Sequence, residues 1–295
     1  MNHLQKHFSA SLIALAALTA APVAAWAAPS LGTASTFAVL SAAPNLGGAV
    51  TCTTSTINGD VGSSGPMSSV VQTGCTINGA IIAPVSANVL KDFNNAYDQY
   101  AAIPCTGSLL PAYTGAALTL TPGVYCSDAA VTFTDSTLTL DGQGDANATW
   151  IFKIGTLGTG ALTGTNFTVN MVNSGDSCNV NWWVAQASTM TTSAFQGNIL
   201  AGAAITVTGV AGTPTTTTLN GDLLSKAAVT LTDVIVTGCN ATGGRGEHSH
   251  SKCNQGVGNG TEGCDPGHST DKNPWGSSND ENGGTKGDPG RGGKK

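Results

Sequence analysis

The stretch from Leu118 to Gly155 constrains the fold of this chain most, because it alternates apolar residues with threonine. Its apolar residues recur at every second position with threonines between them: Leu118, Leu120, Val131, Phe133, Leu138 and Leu140 against Thr119, Thr132, Thr134, Thr137 and Thr139. A period of two is typical of half-buried β-strands with an apolar inner row. Threonine suits the outer row, since it is β-branched and carries a hydroxyl. The pattern therefore predicts a mostly β fold, either a solenoid of stacked coils or a sandwich.

A short repeat favours the solenoid. The sequence Thr-Ile-Asn-Gly occurs at Thr56–Gly59 and again at Thr76–Gly79, and a related Thr-Leu-Asn-Gly occurs at Thr218–Gly221. The interval of about 20 residues between the first two is that of one solenoid coil. Chance recurrence in a chain rich in threonine and glycine is the competing explanation.

One segment, from Ser86 to Pro104, has helical spacing instead. Its apolar residues share one face: Val89, Phe93, Ala96, Tyr97 and Tyr100. Ser86 is placed to cap the start, with Val85 and Leu90 as a hydrophobic staple, and Pro104 ends the segment. We therefore expect one amphipathic helix that packs against the strands.

The N-terminus, residues 1–27, has the pattern of a secretory leader. Lys6 precedes an apolar run from Phe8 to Ala25, and Ala25-Trp26-Ala27 supplies a small-x-small cleavage site. The alternative is a membrane anchor. We expect cleavage and a secreted, extracellular chain that starts near Ala28 and has no membrane span.

The cysteine content fits export. All eight cysteines follow the leader, and an even number in an exported chain favours disulfides over free thiols or metal ligation. They are Cys52, Cys75, Cys105, Cys126, Cys178, Cys239, Cys253 and Cys264. Their spacing alone leaves the connectivity open.

The composition of residues 28–240 excludes several functional classes. This body has three basic residues, Lys91, Lys153 and Lys226, against ten Asp and no Glu, so a nucleic-acid partner is not expected. It has no histidine, which excludes a Ser-His-Asp or Cys-His catalytic site and a histidine-based zinc site. Its Asp residues lie mainly in turns, where they usually bond the backbone. We predict a single domain with no catalytic residues, no metal and no cofactor.

Residues 241–295 differ sharply in composition. They are rich in Gly, Asn and Asp and almost lack aliphatic residues, so they cannot bury enough apolar surface to offset the entropy of ordering. A disordered tail is predicted. Its His248, His250, Cys253, Cys264 and His268 match no standard zinc spacing, and a disulfide with incidental histidines is favoured.

Eight segments in order carry a family resemblance. They read LGTASTFAVLSAA, INGDVGSSG, AAIPC at the helix end, LTLTPGVYC, STLTLDGQGDANATWIFKIG, CNVNWWVAQAS, AFQGNIL and NGDLLSKAAVTL. Together they resemble the microbial ice-binding (ice-binding-like) protein family over nearly all of residues 31–239. The resemblance implies a right-handed, discontinuous β-helix of triangular section, with one long α-helix alongside.

The resemblance also implies a function and a disulfide pattern. The family adsorbs to ice through a flat threonine-rich β-face, which predicts antifreeze activity or ice recrystallisation inhibition. Separately, we expect a monomer. The alternative is an extracellular adhesion or matrix protein that binds polysaccharide with the same scaffold. The pairing of Cys105 with Cys126 follows the family pattern. The remaining predicted pairs are Cys52–Cys75, Cys178–Cys239 and Cys253–Cys264.

A family motif locates the predicted ice face. Relatives often carry Thr, then Ala or Gly, any residue, and Thr or Asn, and Thr163-Gly164-Thr165-Asn166 fits this pattern. The segment that begins at Thr191 fits loosely, and the one that begins at Thr208 departs from the pattern. The final rung is expected to carry Asp233, Val234 and Ile235 in place of small polar residues. The predicted ice-binding residues are Thr163, Thr165, Asn166, Thr191, Ser193 and Thr208.

Overall fold

The computed structural model describes residues 28–212 and 217–240. The predicted leader, the predicted tail and the Cys253–Cys264 pair lie outside the described residues and stay predictions. In chain order the described strands are β1 (Phe37–Ser41), β2 (Val50–Thr53), β3 (Thr56–Asn58), β4 (Asp60–Ser63), β5 (Val70–Thr73), β6 (Thr76–Asn78), β7 (Ile81–Ile82), β8 (Gly107–Ser108), β9 (Ala112–Thr114), β10 (Ala117–Leu120), β11 (Gly123–Ser127), β12 (Val131–Thr134), β13 (Thr137–Asp141), β14 (Trp150–Ile154), β15 (Leu162–Thr165), β16 (Thr168–Val172), β17 (Val180–Val184), β18 (Ser188–Thr191), β19 (Ala194–Gln196), β20 (Asn198–Ala201), β21 (Ile205–Thr208), β22 (Thr218–Asn220), β23 (Leu223–Ser225), β24 (Val229–Thr232) and β25 (Ile235–Thr237). One α-helix, α1 (Ala87–Ala102), and three short 3-10 helices, Gly32–Thr36, Met67–Ser69 and Ser177–Asn179, complete the described structure.

The strands form three parallel sheets. Sheet A has nine strands in the order β7-β4-β1-β23-β20-β17-β14-β11-β8, sheet B has eight in the order β5-β2-β24-β21-β18-β15-β12-β9, and sheet C has eight in the order β10-β13-β16-β19-β22-β25-β3-β6. Each coil, or rung, contributes one strand to A, then one to B, then one to C. The predicted β-solenoid with one helix is confirmed.

The order of the rungs in space differs from their order in the chain. The first rung, β1–β3, packs onto the last rung, β23–β25, through pairs such as Val39 with Leu223 and Thr56 with Ile235. The second rung, β4–β6, packs onto the first. The chain then passes through α1 and resumes at the far end of the stack with β8. The solenoid is therefore discontinuous, and its two N-terminal rungs complete the sheets that the C-terminal rungs begin.

Helix α1 covers sheet A with the predicted apolar face. Val89, Phe93, Ala96, Tyr97 and Tyr100 are all buried, as the helical spacing predicted. The predicted cap is wrong in one respect, because Ser86 occupies the N-cap position but its side chain makes no capping hydrogen bond.

The far end of α1 is held by a buried lysine. Lys153 Nζ donates to the backbone oxygens of Ala101 at 2.7 Å and Ile103 at 2.6 Å. Backbone carbonyls at the end of a helix have no partner within the helix. An ammonium group on a neighbouring strand supplies that partner here and fixes the helix end to sheet A.

The core lies inside the three sheets. Its inner rows include stacked aromatic rings: Phe133 lies 4.9 Å from Tyr113 and 4.2 Å from Phe167, and Phe152 lies 3.9 Å from Trp182, between ring centroids. Tyr113 with Phe133 and Phe152 with Trp182 are register partners on successive rungs, whereas Phe167 lies at the corner after β15 and stacks on Phe133, whose own register partner is Gly164. This repeated packing holds the rungs in register.

Three disulfides join the described cysteines: Cys52–Cys75, Cys105–Cys126 and Cys178–Cys239. These are three of the four predicted pairs. The first ties the two N-terminal rungs together, the second joins the exit of α1 to β11, and the third ties the start of β17 to the end of the last rung.

Candidate functional site

The outer surface of sheet B carries two straight columns of threonine. Along each B strand, two side chains point outward and the residue between them points inward. In stack order from β9 to β5, the first column is Ala112, Thr132, Thr163, Thr189, Thr206, Thr230, Thr51 and Val71. The second column is Thr114, Thr134, Thr165, Thr191, Thr208, Thr232, Thr53 and Thr73. We call these sixteen positions the threonine face.

Strand geometry fixes the spacing of the threonine face. Neighbouring strands lie about 4.8 Å apart and alternate residues about 6.7 Å apart, so the eight rungs span roughly 34 Å. Ladder registers are unshifted along the whole of sheet B. The hydroxyl and methyl groups therefore form a two-dimensional grid rather than a scattered set.

The residues between the columns anchor the face from beneath. In the six inner rungs they are Phe133, Gly164, Met190, Val207, Leu231 and Cys52, all buried. Gly164 leaves room for its neighbour, since a Cβ added there would lie 2.6 Å from the Met190 sulfur. Each inner strand thus has the order Thr, core residue, Thr. Burial of the middle residue fixes how far the two flanking threonines stand out from the sheet.

The threonine face is uncharged. All sixteen of its residues are exposed or half-buried, and fourteen are threonine. The two exceptions are the small apolar residues Ala112 and Val71, which lie in the outermost rungs of the first column. Thr, Ala and Val side chains do not ionise, so the face carries no charge at any ordinary pH.

The corner between sheets B and C is a tight turn. A residue with left-handed backbone, such as Thr54, Asp135 or Thr192 with φ near 50°, reverses the chain directly after the second column. Asn166 occupies the same corner position and donates from Nδ2 to Asp135 Oδ1 at 2.7 Å. A second corner residue then points inward before sheet C begins.

The structure brings four of the six predicted face residues together. Thr163 lies in the first column, and Thr165, Thr191 and Thr208 lie in the second. Asn166 lies beside the face, at the corner. The prediction of Ser193 is wrong: its side chain is fully buried, because it is the inward corner residue after β18.

The description of the final rung was also wrong. Asp233 and Val234 are its two corner residues, and Ile235 begins sheet C. The outward B-strand residues of that rung are Thr230 and Thr232, in register with Thr206 and Thr208. The columns therefore continue through the last rung and into the N-terminal rungs.

The sequence contained a signal for eight of the ten threonines that the prediction missed, all but Thr73 and Thr114. The pattern is threonine, an apolar residue or glycine, then threonine, and it occurs in Thr51–Thr53, Thr132–Thr134, Thr189–Thr191, Thr206–Thr208 and Thr230–Thr232. The pattern can be assigned to sheet B only when the rung boundaries are known, because sheet C contains similar alternation, as in Thr137–Thr139.

The shifted titratable groups lie away from the threonine face. Burial raises the pKa of Tyr97 to about 12 and lowers the pKa of Lys153. Tyr97 is part of α1, and Lys153 contacts the end of that helix. Hydrogen bonds from Thr33 lower the pKa of Asp92, and those from Asn173 and Gln143 lower the pKa of Asp141. Within residues 28–212 and 217–240, no three Asp, Glu, His or Cys side chains group as metal ligands would. No helix in the same ranges has the length and apolar character needed to cross a bilayer.

Comparison with known proteins gives the family. The sequence model described as Ice-binding-like matches residues 45–237, more than half of the chain. The chain belongs to the Ice-binding-like family. The predicted resemblance is therefore confirmed.

Individual members of the Ice-binding-like family agree with this assignment. An ice-binding protein from Nostoc sp. (strain HG1) is 36% identical over 183 residues, which cover 60% of this chain and 64% of that protein. A match of 39% identity to ice-binding protein 1 of Shewanella frigidimarina (strain NCIMB 400) spans 92 residues and 10% of that protein. This chain thus covers less than two thirds of both curated relatives.

Solved structures of the family share the fold. The crystal structure of an ice-binding protein from the Antarctic ascomycete Antarctomyces psychrotrophicus has a TM-score of 0.60 and 30% identity, and the match covers 74% of this chain and all of that one. The domain of ice-binding protein 1 from Shewanella frigidimarina has a TM-score of 0.58 and 26% identity, with 72% and 98% coverage.

Proposed function

We propose that this protein binds ice through the threonine face of sheet B and thereby acts as an antifreeze or inhibits ice recrystallisation. The observation that carries the proposal is the unbroken register of fourteen threonines over eight rungs. Membership of the Ice-binding-like family supports it. No reaction and no cofactor form part of the proposal.

The physical basis is a match of pattern and chemistry. The spacings of about 4.8 Å and about 6.7 Å are comparable with repeats on an ice surface, so many side chains contact the lattice together. Each threonine offers a methyl group, which orders adjacent water, and a hydroxyl, which donates and accepts hydrogen bonds. Individually weak contacts sum to firm adsorption because the rigid scaffold orders the groups in advance.

The adhesion alternative predicts a different surface. Bulky or charged outward residues would favour binding to cell surfaces or polysaccharide, and none of the sixteen positions carries one. Val71, the largest exception, is similar to threonine in size. The face therefore favours ice over polysaccharide as the partner.

Thermal hysteresis and ice recrystallisation of the purified full chain test the proposal. We expect a measurable gap between melting and freezing, together with faceted ice crystals. The same chain after reduction and unfolding is the control and should show neither. An intact, folded protein without hysteresis or recrystallisation inhibition, but with binding to extracellular polysaccharide, would favour the adhesion alternative.

Secretion and a monomeric state belong to the same proposal. The leader pattern of residues 1–27 and the three disulfides support export. N-terminal sequencing of chain recovered from culture medium should begin near Ala28. Light scattering on that material should give the mass of one chain.

A further inference from the structure

Three buried serines occupy the same position at the corner between sheets B and C. Ser55, Ser136 and Ser193 each follow the second-column threonine of their rung by two residues. Each is nearly or fully buried, and each precedes the first residue of a C strand. None contacts the outer surface, so none belongs to the threonine face itself.

Each of these serines donates to the backbone of a face residue. Ser193 Oγ donates to the carbonyl oxygen of Thr191 at 2.9 Å. Ser136 Oγ donates to that of Thr134 at 2.8 Å, and Ser55 Oγ to that of Thr53 at 2.7 Å. The hydroxyl thus fixes the end of the strand that carries the second column.

The same hydroxyl oxygens accept from the neighbouring rung. Phe167 N–H donates to Ser193 Oγ at 3.2 Å, and the preceding residue, Asn166, donates its N–H to the Thr191 carbonyl at 2.9 Å. Two successive N–H groups at the corner after β15 therefore donate to a threonine carbonyl and a serine hydroxyl at the corner after β18. These two hydrogen bonds join the two corners.

The arrangement repeats in two other places. Gly115 and Ala116 donate to Thr134 O and Ser136 Oγ, at 2.9 and 3.3 Å. Asp233 and Val234 donate to Thr53 O and Ser55 Oγ, at 3.0 and 3.1 Å. The three serines therefore join six of the eight rungs in pairs: β9 with β12, β15 with β18, and β24 with β2.

From this repeated network we infer that Ser55, Ser136 and Ser193 are positioning residues for ice binding, which hold the second threonine column in one plane. The inference rests on the proposed function of the threonine face. At each junction between rungs the residue after the second-column threonine continues the ladder, as Asp135 N–H does to the Thr165 carbonyl. The serine adds a partner for the next N–H, and this second bond keeps Thr165 beside Thr191, Thr114 beside Thr134, and Thr232 beside Thr53.

The test compares Ser193→Ala with Ser188→Ala in the full chain. Ser188 lies on β18 too and is fully buried, but its hydroxyl has no partner among the described residues. We expect Ser193→Ala to lower thermal hysteresis about threefold at equal concentration, and Ser188→Ala to leave it unchanged. Circular dichroism near the freezing point, where hysteresis is measured, should show both variants folded, so that loss of stability alone does not explain a change.

Two further measurements separate positioning from folding. Ser193→Thr should restore hysteresis, because it keeps the hydroxyl and because the buried Thr217 shows that a threonine fits directly before a C strand. In methyl NMR spectra without ice, Ser193→Ala should shift the signals of Thr165 and Thr191 and leave that of Thr51 in place. Unchanged methyl signals would overturn the inference whatever the ice activity.

The outcomes also distinguish this inference from the proposed function. If the wild-type chain shows hysteresis and Ser193→Ala retains it in full, the positioning role is wrong and the threonine face stands. If the wild-type chain shows no hysteresis, the proposed function fails first, and with it the role of the serines in ice binding.

Discussion

Thr53 lies directly beside Thr232 in sheet B, although the two residues come from opposite ends of the described chain. Their pairing continues both threonine columns across the seam between the last rung and the N-terminal rungs. A quarter of the face positions, those of β2 and β5, depend on this seam. The threonine face therefore reaches full length only when the first and last described rungs pack together.

The Cys52–Cys75 disulfide should matter for activity as well as for stability. Cys52 lies between Thr51 and Thr53 on the inner side of β2, and its bond joins β2 to the adjacent rung. Replacing both cysteines by serine should lower the free energy of unfolding by about 2–4 kcal/mol and also reduce thermal hysteresis. Urea unfolding and hysteresis measure the two effects.

The matched control removes Cys105–Cys126, which closes a similar loop, with a sequence separation of 21 against 23. This bond lies beside α1, away from sheet B. We expect a comparable loss of stability with unchanged hysteresis near the freezing point. Equal loss of hysteresis in both double variants would show that the N-terminal rungs add nothing specific to the face.

Lys153 should stabilise the fold through the end of α1. Replacing it by Met keeps most of its buried stem but leaves the carbonyls of Ala101 and Ile103 without their donor, which should cost roughly 2–3 kcal/mol. Lys226→Met is the control. Lys226 is partly exposed, forms an ion pair with Asp98 at 3.6 Å and lies over the Tyr97 ring, so its loss should cost about 1 kcal/mol or less. Equal losses by chemical unfolding would contradict this account.

Acid should weaken the fold without titrating the threonine face. Hydrogen bonds lower the pKa of Asp92 and Asp141 below the ordinary 3.8, so the stability they give is present above that value and is lost as the pH falls through the folded-state pKa. The melting temperature should therefore decline between about pH 5 and about pH 2. Asp92→Asn should flatten the decline. A melting temperature that rises as the pH falls would contradict this prediction.

The sequence predicted the fold in more detail than the face. Period-two alternation identified the inner rows, and Val131, Phe133, Leu138 and Leu140 are indeed buried. Helical spacing identified α1 with its buried residues. Both signals are local, since they depend on neighbours within a few positions.

The face was harder to predict because it is not local. Thr53 and Thr232 become neighbours only through the discontinuous order of the rungs, which no spacing within one segment reveals. Ser193 shows a second limit. A serine at the second position of a corner can point outward or inward, and the left-handed backbone of Thr192 decides that Ser193 points inward.

Thermal hysteresis of Thr165→Tyr tests the central claim most directly. Thr165 is exposed in an inner rung of the face, between Thr134 and Thr191, so a tyrosine fits there without disturbing the core but holds the plane away from ice. Thr139→Tyr is the matched control, since Thr139 points outward from sheet C. The account predicts that Thr165→Tyr abolishes hysteresis with an unchanged melting temperature, while Thr139→Tyr retains it. Full hysteresis in Thr165→Tyr would contradict the assignment of sheet B as the ice-binding surface.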